Sequence, residues 1–230
     1  GMTVLIPNTE FKIFNMDTNK YVEMITTYPS KEVHTSFFTD ADGDLILPDV
    51  LPLGNYRIEE VAAPFGYVLN ENYVEVKVDT DTFYEVDPDT YEAIITVEYE
   101  DAPAVGELLI EKKGEVLDAY KGGLFADSEE KEFVYKEGSL AGAKFEVYAA
   151  EDIYTADMQC DADGNRNKYY SAGDLVATVV TDENGKAVVT DLPLGSYRVV
   201  EVEAPYGFVL NSEEQVVTFV YVDDKTPVIK

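Results

Sequence analysis

Two glutamates in this chain are placed where they could take part in acid–base chemistry. Glu60 lies in YRIEEVAAP and Glu201 in YRVVEVEAP, and both segments are alternating and largely apolar. Counting every second residue from Tyr56 and from Tyr197 puts each glutamate on the buried face of a strand. Desolvation penalises a charged carboxylate, so a carboxyl group in such a position tends to stay protonated and can donate a hydrogen bond to a carbonyl.

A lysine, Lys112, is placed in a similar way. It follows Leu108 and Ile110 on the inward face of the segment ELLIEKK. A buried amine tends to lose its proton and then becomes a nucleophile, so a neighbouring protonated acid could promote an amide bond with an Asn or Asp side chain. Two other interpretations remain open, a buried Lys–Glu ion pair and a lysine whose charged end reaches solvent.

The elements that carry these residues are repeated. Leu51–Asn70 returns as Leu192–Asn211 with 14 of 20 positions identical, about 140 residues later. This spacing is too long for a solenoid and suits two similar domains in tandem. The joint is predicted at Asp101–Val105, since Pro103 cannot donate to a strand ladder. We therefore expect domains at residues 1–104 and 105–230.

Short, regularly spaced alternating segments predict an all-β protein built from sandwiches. An excursion over Glu115–Ser139, which the first domain lacks, is interpreted as an inserted hairpin, and Glu151–Ala156 as a short helix. The predicted strands are Glu10–Asn15, Tyr21–Tyr28, Val33–Phe38, Asp44–Leu47, Asn55–Val61, Asn72–Val78, Tyr91–Glu98, Glu107–Lys113, Leu140–Ala149, Asp174–Thr181, Lys186–Thr190, Ser196–Val202 and Glu214–Val222.

Composition argues against several function classes. The net charge is -29, from 46 acidic and 17 basic residues, and would repel nucleic acid and anionic membrane surfaces. No apolar window is long enough to insert into a membrane. Cys160 is the single cysteine and His34 the single histidine, so neither a disulfide nor a metal cluster of thiolates is expected. The Asp-rich turns lack calcium-loop spacing, and we expect neither metal nor cofactor.

The segments GELLIEKKGEVL, LAGAKFEVYAAEDIY and TDENGKAVVTDLPLGSYRVVEVEAPYGFVL, with their first-domain counterparts, resemble the Cna B-type, SpaA-like pilin domains of Gram-positive surface proteins. The resemblance implies transthyretin-like or inverse-Ig β-sandwiches in an extracellular, cell-wall-anchored protein. Many such domains form a Lys–Asn or Lys–Asp isopeptide bond within the domain, promoted by the Glu of E-x-x-A-P. By resemblance, Glu60 and Glu201 are the catalytic positions, Lys112 is the nucleophile and Asp101 an acceptor.

The chain departs from the family pattern in both domains. The first domain begins at what should be its second strand, without the lysine-bearing strand, and Lys12 alternates onto the outward face. The second domain stops at Lys230, before the family's final strand with its Asn. Each domain is thus expected to lack a terminal strand, and we predict no isopeptide bond within these residues. Unpaired strand edges should favour self-association.

We therefore expect a non-enzymatic structural module, a stalk or shaft segment of a surface adhesin or pilin-like protein, with neighbouring domains of the same protein as its partners. One alternative is an adhesin domain that binds a host extracellular protein or glycan. An exposed aromatic cluster around Phe125, Phe133 and Tyr135 would favour it. Another alternative is an accessory β-sandwich of a secreted carbohydrate-active enzyme.

Overall fold

The computed structural model describes residues 6–80, 85–86, 88–89, 93–94, 97–121 and 132–230. These residues form strands and turns, and they include no helix, hence none able to cross a membrane. The chain divides into two compact units. The first comprises Gly1–Ala104 and Tyr221–Pro227, and the second Val105–Val220 and Val228–Lys230. The chain passes from the first unit to the second between Ala104 and Val105, and residues 221–227 return to the first unit.

The first unit is built on one antiparallel sheet with the order β2-β1-β6-β7, and β5 also pairs with β1. Its core contains Ile13, Met24, Phe37 and Tyr56. Two small hairpins, β3–β4 and β8–β9, lie outside that sheet. The strands are β1 (Glu10–Asn15), β2 (Lys20–Tyr21), β3 (Met24–Thr26), β4 (Glu32–His34), β5 (Phe37–Phe38), β6 (Gly54–Ala62), β7 (Tyr73–Val78), β8 (Glu85–Val86) and β9 (Ala93–Ile94).

The second unit is a β-sandwich, as the sequence predicted. Its strands are β10 (Val105–Glu111), β11 (Lys113–Lys121), β12 (Glu132–Ser139), β13 (Lys144–Ala149), β14 (Ile153–Tyr154), β15 (Lys168–Tyr170), β16 (Leu175–Val180), β17 (Lys186–Pro193), β18 (Gly195–Glu203), β19 (Gln215–Phe219) and β20 (Val228–Ile229). One sheet has the order β16-β13-β18-β19 and the other β17-β10-β20. Their inward faces share a core that includes Ile110 and Val189 from one sheet and Val147 and Tyr197 from the other.

The repeat gives the two units the same strand register. Phe11 lies opposite Glu60 in the β1–β6 pair, and Phe145 lies opposite Glu201 in the β13–β18 pair. Each register shifts by a bulge beside that pair, which re-aims nearby side chains. The repeated 20-residue segment therefore places its glutamate at the same structural position in both units.

Two predicted elements are wrong. Asp44–Leu47 alternates but forms no strand. In the second unit the corresponding strand, β17, pairs with β10, and the described part of the first unit has no counterpart of β10. Glu151–Ala156 is not a helix, because Ile153 is buried in the core and forms the short strand β14, paired with β15. Six residues are too few to nucleate a stable helix against such packing.

Other predicted strands are shorter in the structure. The strand predicted at Tyr21–Tyr28 corresponds to the last residue of β2 and to β3. The strand predicted at Val33–Phe38 corresponds to the last two residues of β4 and to β5. Of Tyr91–Glu98, the described residues form a strand only at Ala93–Ile94. The excursion at 115–139 forms the antiparallel hairpin β11–β12 in its described residues, and Phe125 lies outside them.

Candidate functional site

In the second unit the predicted lysine and glutamate meet. Lys112 Nζ donates a hydrogen bond of 3.0 Å to Glu201 Oε2. The Glu201 side chain is 2% exposed and that of Lys112 17%, so water screens their charges poorly. The Asn211 N–H donates to the same oxygen at 2.9 Å, while Glu201 Oε1 has no partner in the described part of the chain. The structure shows the ion pair that the sequence left open as one interpretation.

The position of Lys112 depends on a glycine in the neighbouring turn. The Lys112 N–H donates to Gly185 O at 2.8 Å, and Lys112 O accepts from the Leu140 N–H at 3.0 Å. Gly185 has φ of 70°, and a Cβ there would lie 2.7 Å from Lys112 O. Glycine is thus required for both its conformation and its lack of a side chain. The sequence identified the turn but not its contact with Lys112.

In the first unit the equivalent glutamate has a different environment. Glu60 is 6% exposed, and neither carboxyl oxygen has a hydrogen-bonding partner of standard geometry among the described residues. Burial, followed by the neighbouring Asp101 carboxyl, raises the pKa of Glu60 to about 8, although the Asn70 backbone N–H opposes the shift. Burial also raises the pKa of Asp101. At neutral pH this carboxyl pair therefore retains a proton.

The repeated loop holds Asp101 beside Glu60. The Val68 N–H donates to Ala102 O at 2.8 Å, and the Ala104 N–H donates to Gly66 O at 2.9 Å. These two bonds fix the backbone that follows Asp101. The E-x-x-A-P-x-G-[YF] segment thus supplies both the glutamate and the support for its neighbour.

The two units hold complementary parts of one arrangement. Among the described residues, Glu60 has Asp101 beside it and no lysine, and Glu201 has Lys112 and no Asn or Asp side chain bonded to either. Lys12 is on the face opposite Glu60, since it pairs in register with Glu59 and lies 5.4 Å from the centroid of the Tyr21 ring.

Of the remaining polar candidates, His34 and Asp40 have structural partners. His34 Nε2 lies 2.9 Å from Thr26 Oγ1, and Cys160 is exposed. Asp40 Oδ1 accepts from the N–H groups of Asp42 and Asp44, as expected for a tight turn. Within the described ranges no group of His, Cys, Asp and Glu side chains is arranged to hold a metal ion.

Comparisons place these features among known proteins. The family model of the SpaA prealbumin-like fold domain matches residues 3–91 and 131–229. A solved structure, the Bacillus anthracis TIE protein, is 23% identical with a TM-score of 0.50 over 98% of this chain, which shows the fold. This chain spans 30% of that protein's chain.

Two further solved structures are similar at lower scores. A streptococcal ancillary pilin is 20% identical over 98% of this chain, with a TM-score of 0.28, and this chain spans 57% of it. BcpA, the major pilin subunit of Bacillus cereus, is 16% identical over 97% of this chain and 93% of its own, with a TM-score of 0.30. No curated protein sequence matches the chain.

Proposed function

Because this chain belongs to the family of SpaA prealbumin-like fold domains, we propose that it is a structural module in the stalk or shaft of a cell-wall-anchored extracellular protein. Its partners are then the neighbouring domains of that protein. The observation that carries the proposal is the buried contact between Lys112 and Glu201, which is suited to a covalent cross-link. The role is non-enzymatic, since the only chemistry proposed is directed at the module itself.

The proposed reaction forms an amide from Lys112. Glu201 accepts a proton from the Lys112 ammonium, and the neutral amine attacks the side-chain carbonyl carbon of an Asn or Asp on a strand beside β10. The new C–N bond forms as the old C–N or C–O bond breaks. The protonated glutamate gives its proton to the leaving group, so ammonia (from Asn) or water (from a protonated Asp) is released, and its carboxylate then takes the second proton of the attacking nitrogen.

The first unit carries the complementary half of this chemistry. Protonated Glu60 donates a hydrogen bond to Asp101 and makes its carbonyl carbon more electrophilic. An incoming lysine amine then forms the amide, and water leaves. The raised pKa of Glu60 supports this assignment, because a carboxylate could not donate that hydrogen bond.

Such a bond would suit a load-bearing module. A covalent bond between the first and last strands of a sandwich transmits a pulling force directly. The hydrogen bonds of the core then do not bear that force. The covalent bond also restricts the unfolded chain, as a disulfide does elsewhere. The single cysteine of this chain offers no intrachain disulfide to do so.

The register of β20 allows a direct test. β20 runs parallel to β10 with Ile229 opposite Gly106, and Lys112 lies six positions after Gly106. We would extend the chain after Lys230 by a Val/Thr-rich strand that carries Asn six positions after Ile229. The intact mass should then fall by one ammonia. Lys112→Arg should abolish this loss, and Lys113→Arg, a change at the exposed neighbour, should not. An unchanged mass in the folded, extended chain would contradict the proposal.

The chain of residues 1–230 should itself show the full calculated mass. Neither Glu60 nor Glu201 has a complete set of partners among the described residues. A deficit of one ammonia or one water in intact-mass spectrometry would refute this prediction and reveal a partner that the geometry does not show.

A second candidate function, adhesion to a host protein or glycan, is favoured by the β11–β12 hairpin. Leu117 lies opposite Tyr135, and Tyr120 lies opposite Phe133 with ring centroids 5.0 Å apart. All four side chains are between 47% and 59% exposed. Contiguous exposed apolar groups of this kind mark interaction surfaces.

Binding arrays of extracellular matrix proteins and glycans test this candidate. The combined change Phe133→Ser and Tyr135→Ser should abolish any binding, whereas Val216→Ser, at an exposed apolar residue elsewhere, should leave it intact. Absence of binding by the unchanged chain, or binding that survives loss of both rings, would exclude this surface as an adhesive site.

A further inference from the structure

The loop Ala63–Leu69 of the first unit is covered by a segment from far along the chain. Asp224 Oδ2 accepts a hydrogen bond of 3.1 Å from the Ala63 N–H, and Asp224 O accepts one of 2.8 Å from the Leu69 N–H. Both ends of the loop are therefore bound by one residue. Residues 221–227 belong to the first unit through such contacts.

Tyr221 completes this docking. Its hydroxyl donates to Tyr67 O at 3.0 Å, and its ring lies 4.6 Å from that of Phe65, centroid to centroid. The docked segment thus has the pattern Tyr-x-x-Asp. It offers one aromatic ring, one hydroxyl donor, one carboxylate and one backbone carbonyl to a loop that presents matching groups.

The second unit contains the same loop. Ala204–Leu210 reads APYGFVL where the first unit reads APFGYVL. The Phe208 N–H donates to Pro205 O at 3.0 Å, as the Tyr67 N–H does to Pro64 O at 3.1 Å. The two turns therefore have the same local conformation, and the groups that bind Tyr221 and Asp224 in one unit have counterparts in the other.

No segment covers the loop of the second unit among the described residues. Tyr206 and Val209 are fully or almost fully exposed, at 104% and 90%, and Leu210 is 45% exposed. In the described part of the chain no hydrogen bond is found for the N–H groups of Ala204 and Leu210. Phe208 is 36% exposed and its first-unit counterpart Tyr67 7%, while Tyr206 is 104% exposed and its counterpart Phe65 78%. An apolar, unpaired loop of this kind is suited to binding.

We propose that the loop Ala204–Leu210 is a docking surface for a Tyr-x-x-Asp segment of a neighbouring domain, bound through the same contacts that Tyr221 and Asp224 make within the first unit. The incoming ring packs on Tyr206, its hydroxyl donates to Phe208 O, and its Asp accepts from the N–H groups of Ala204 and Leu210.

The contact is small, so it should be weak for a free peptide and effective between linked domains, where the local concentration is high. This docking is independent of the proposed amide chemistry, because none of the docking groups takes part in that reaction.

A peptide titration tests the docking surface. The peptide TFVYVDDKTP, residues 218–227, is added to the isotope-labelled full chain at up to millimolar concentration. Saturable shifts are expected at the amides of Ala204 and Leu210. A control peptide with Tyr221→Ala and Asp224→Ala should bind at least about tenfold more weakly, because it loses the ring contact and a charge-assisted hydrogen bond.

Two variants of the full chain locate the binding. Tyr206→Ser, at a fully exposed residue, should weaken peptide binding about tenfold. Phe65→Ser, the matched change in the first unit, should leave it unchanged. Absence of shifts at Ala204 and Leu210, or equal binding by the Tyr206→Ser variant, would overturn the proposal.

The contact that serves as the template can be tested separately. Tyr221→Ser combined with Asp224→Ala should speed hydrogen exchange of the Ala63 amide at least about tenfold, since it loses its acceptor. Lys225→Ala, next to the segment, should have no such effect. Unchanged exchange in the double variant would show that the docking in the first unit does not stabilise the loop, and would remove the basis of the proposal.

Discussion

Glu60→Gln should remove most of the pH dependence of the stability of the first unit. Burial and the Asp101 carboxyl raise the pKa of Glu60 from 4.5 to about 8. Because the folded pKa is above the unfolded one, the folded state binds more protons between these values. The free energy of unfolding should therefore be highest below about pH 4.5, fall as the pH rises towards 8, and level off above it.

The size of this effect follows from the same shift. A change from 4.5 to about 8 corresponds to about 5 kcal/mol in the free energy of unfolding. About 4 kcal/mol of this lies between pH ~5 and pH ~9, and local relaxation and water entry reduce it, so we expect a loss of about 2 to 4 kcal/mol over that range. Glutamine mimics the neutral acid, so the variant should lose much less stability over this range, and the remaining loss should come from Asp101, whose pKa is also raised by burial.

The assay must separate the two units. Urea titrations read by pulsed hydrogen exchange and mass spectrometry give one transition for peptides of each unit. Glu201→Gln is the matched control. It removes the partner of Lys112, so it should destabilise the second unit throughout this pH range and leave the first unit unchanged. An equal pH-dependent loss in the Glu60→Gln variant and the unchanged chain, or stability that rises with pH, would refute the reasoning.

Three further predictions follow from the geometry. Lys112→Met leaves Glu201 without its cation and should lower the free energy of unfolding of the second unit by about 3 kcal/mol, whereas Lys113→Met, at an exposed side chain, should change it by less than about 1 kcal/mol in urea titrations. Gly185→Ala introduces a Cβ 2.7 Å from Lys112 O at positive φ and should cost about 2 to 3 kcal/mol, while Gly142→Ala, at similar φ with open space around it, should cost about 1 kcal/mol. Equal costs for the two alanine variants would show that crowding at Lys112 is unimportant. The edge of β10 beyond its two-residue pairing with β20 should promote dimerisation at high concentration, and a strictly monomeric mass in light scattering would contradict this.

Alternation was sufficient to predict most of the long strands and their buried faces. β1, β6, β10 and β18 fall within a few residues of their predicted bounds, and the count from Tyr197 placed Glu201 on the buried face. A strand with one face in a core must alternate, so its pattern survives in the sequence. Asp44–Leu47 alternates as well, but a strand also needs a paired neighbour, and alternation carries no information on that.

The burial of the candidate site residues was predictable from the sequence, but their contacts were not. The inward faces of Lys112 and Glu201 followed from periodicity, but their contact at 3.0 Å joins β18 to a residue between β10 and β11, 89 positions earlier in the chain. The docking of Asp224 on Ala63 spans 161 residues and depends on a loop without periodic pattern. Local patterns encode faces and turns, whereas contacts of this range depend on how the whole chain packs.

The two glutamates show that a repeated motif does not fix its own electrostatics. The motif supplies a buried carboxyl group opposite a phenylalanine in both units. A lysine just after β10 makes Glu201 half of an ion pair, while burial, together with the neighbouring Asp101, raises the pKa of Glu60. Because each partner comes from a segment outside the repeat, proton affinity can diverge between the copies while the fold is retained. The chemistry of each copy is therefore set by the segment that lies beside the glutamate.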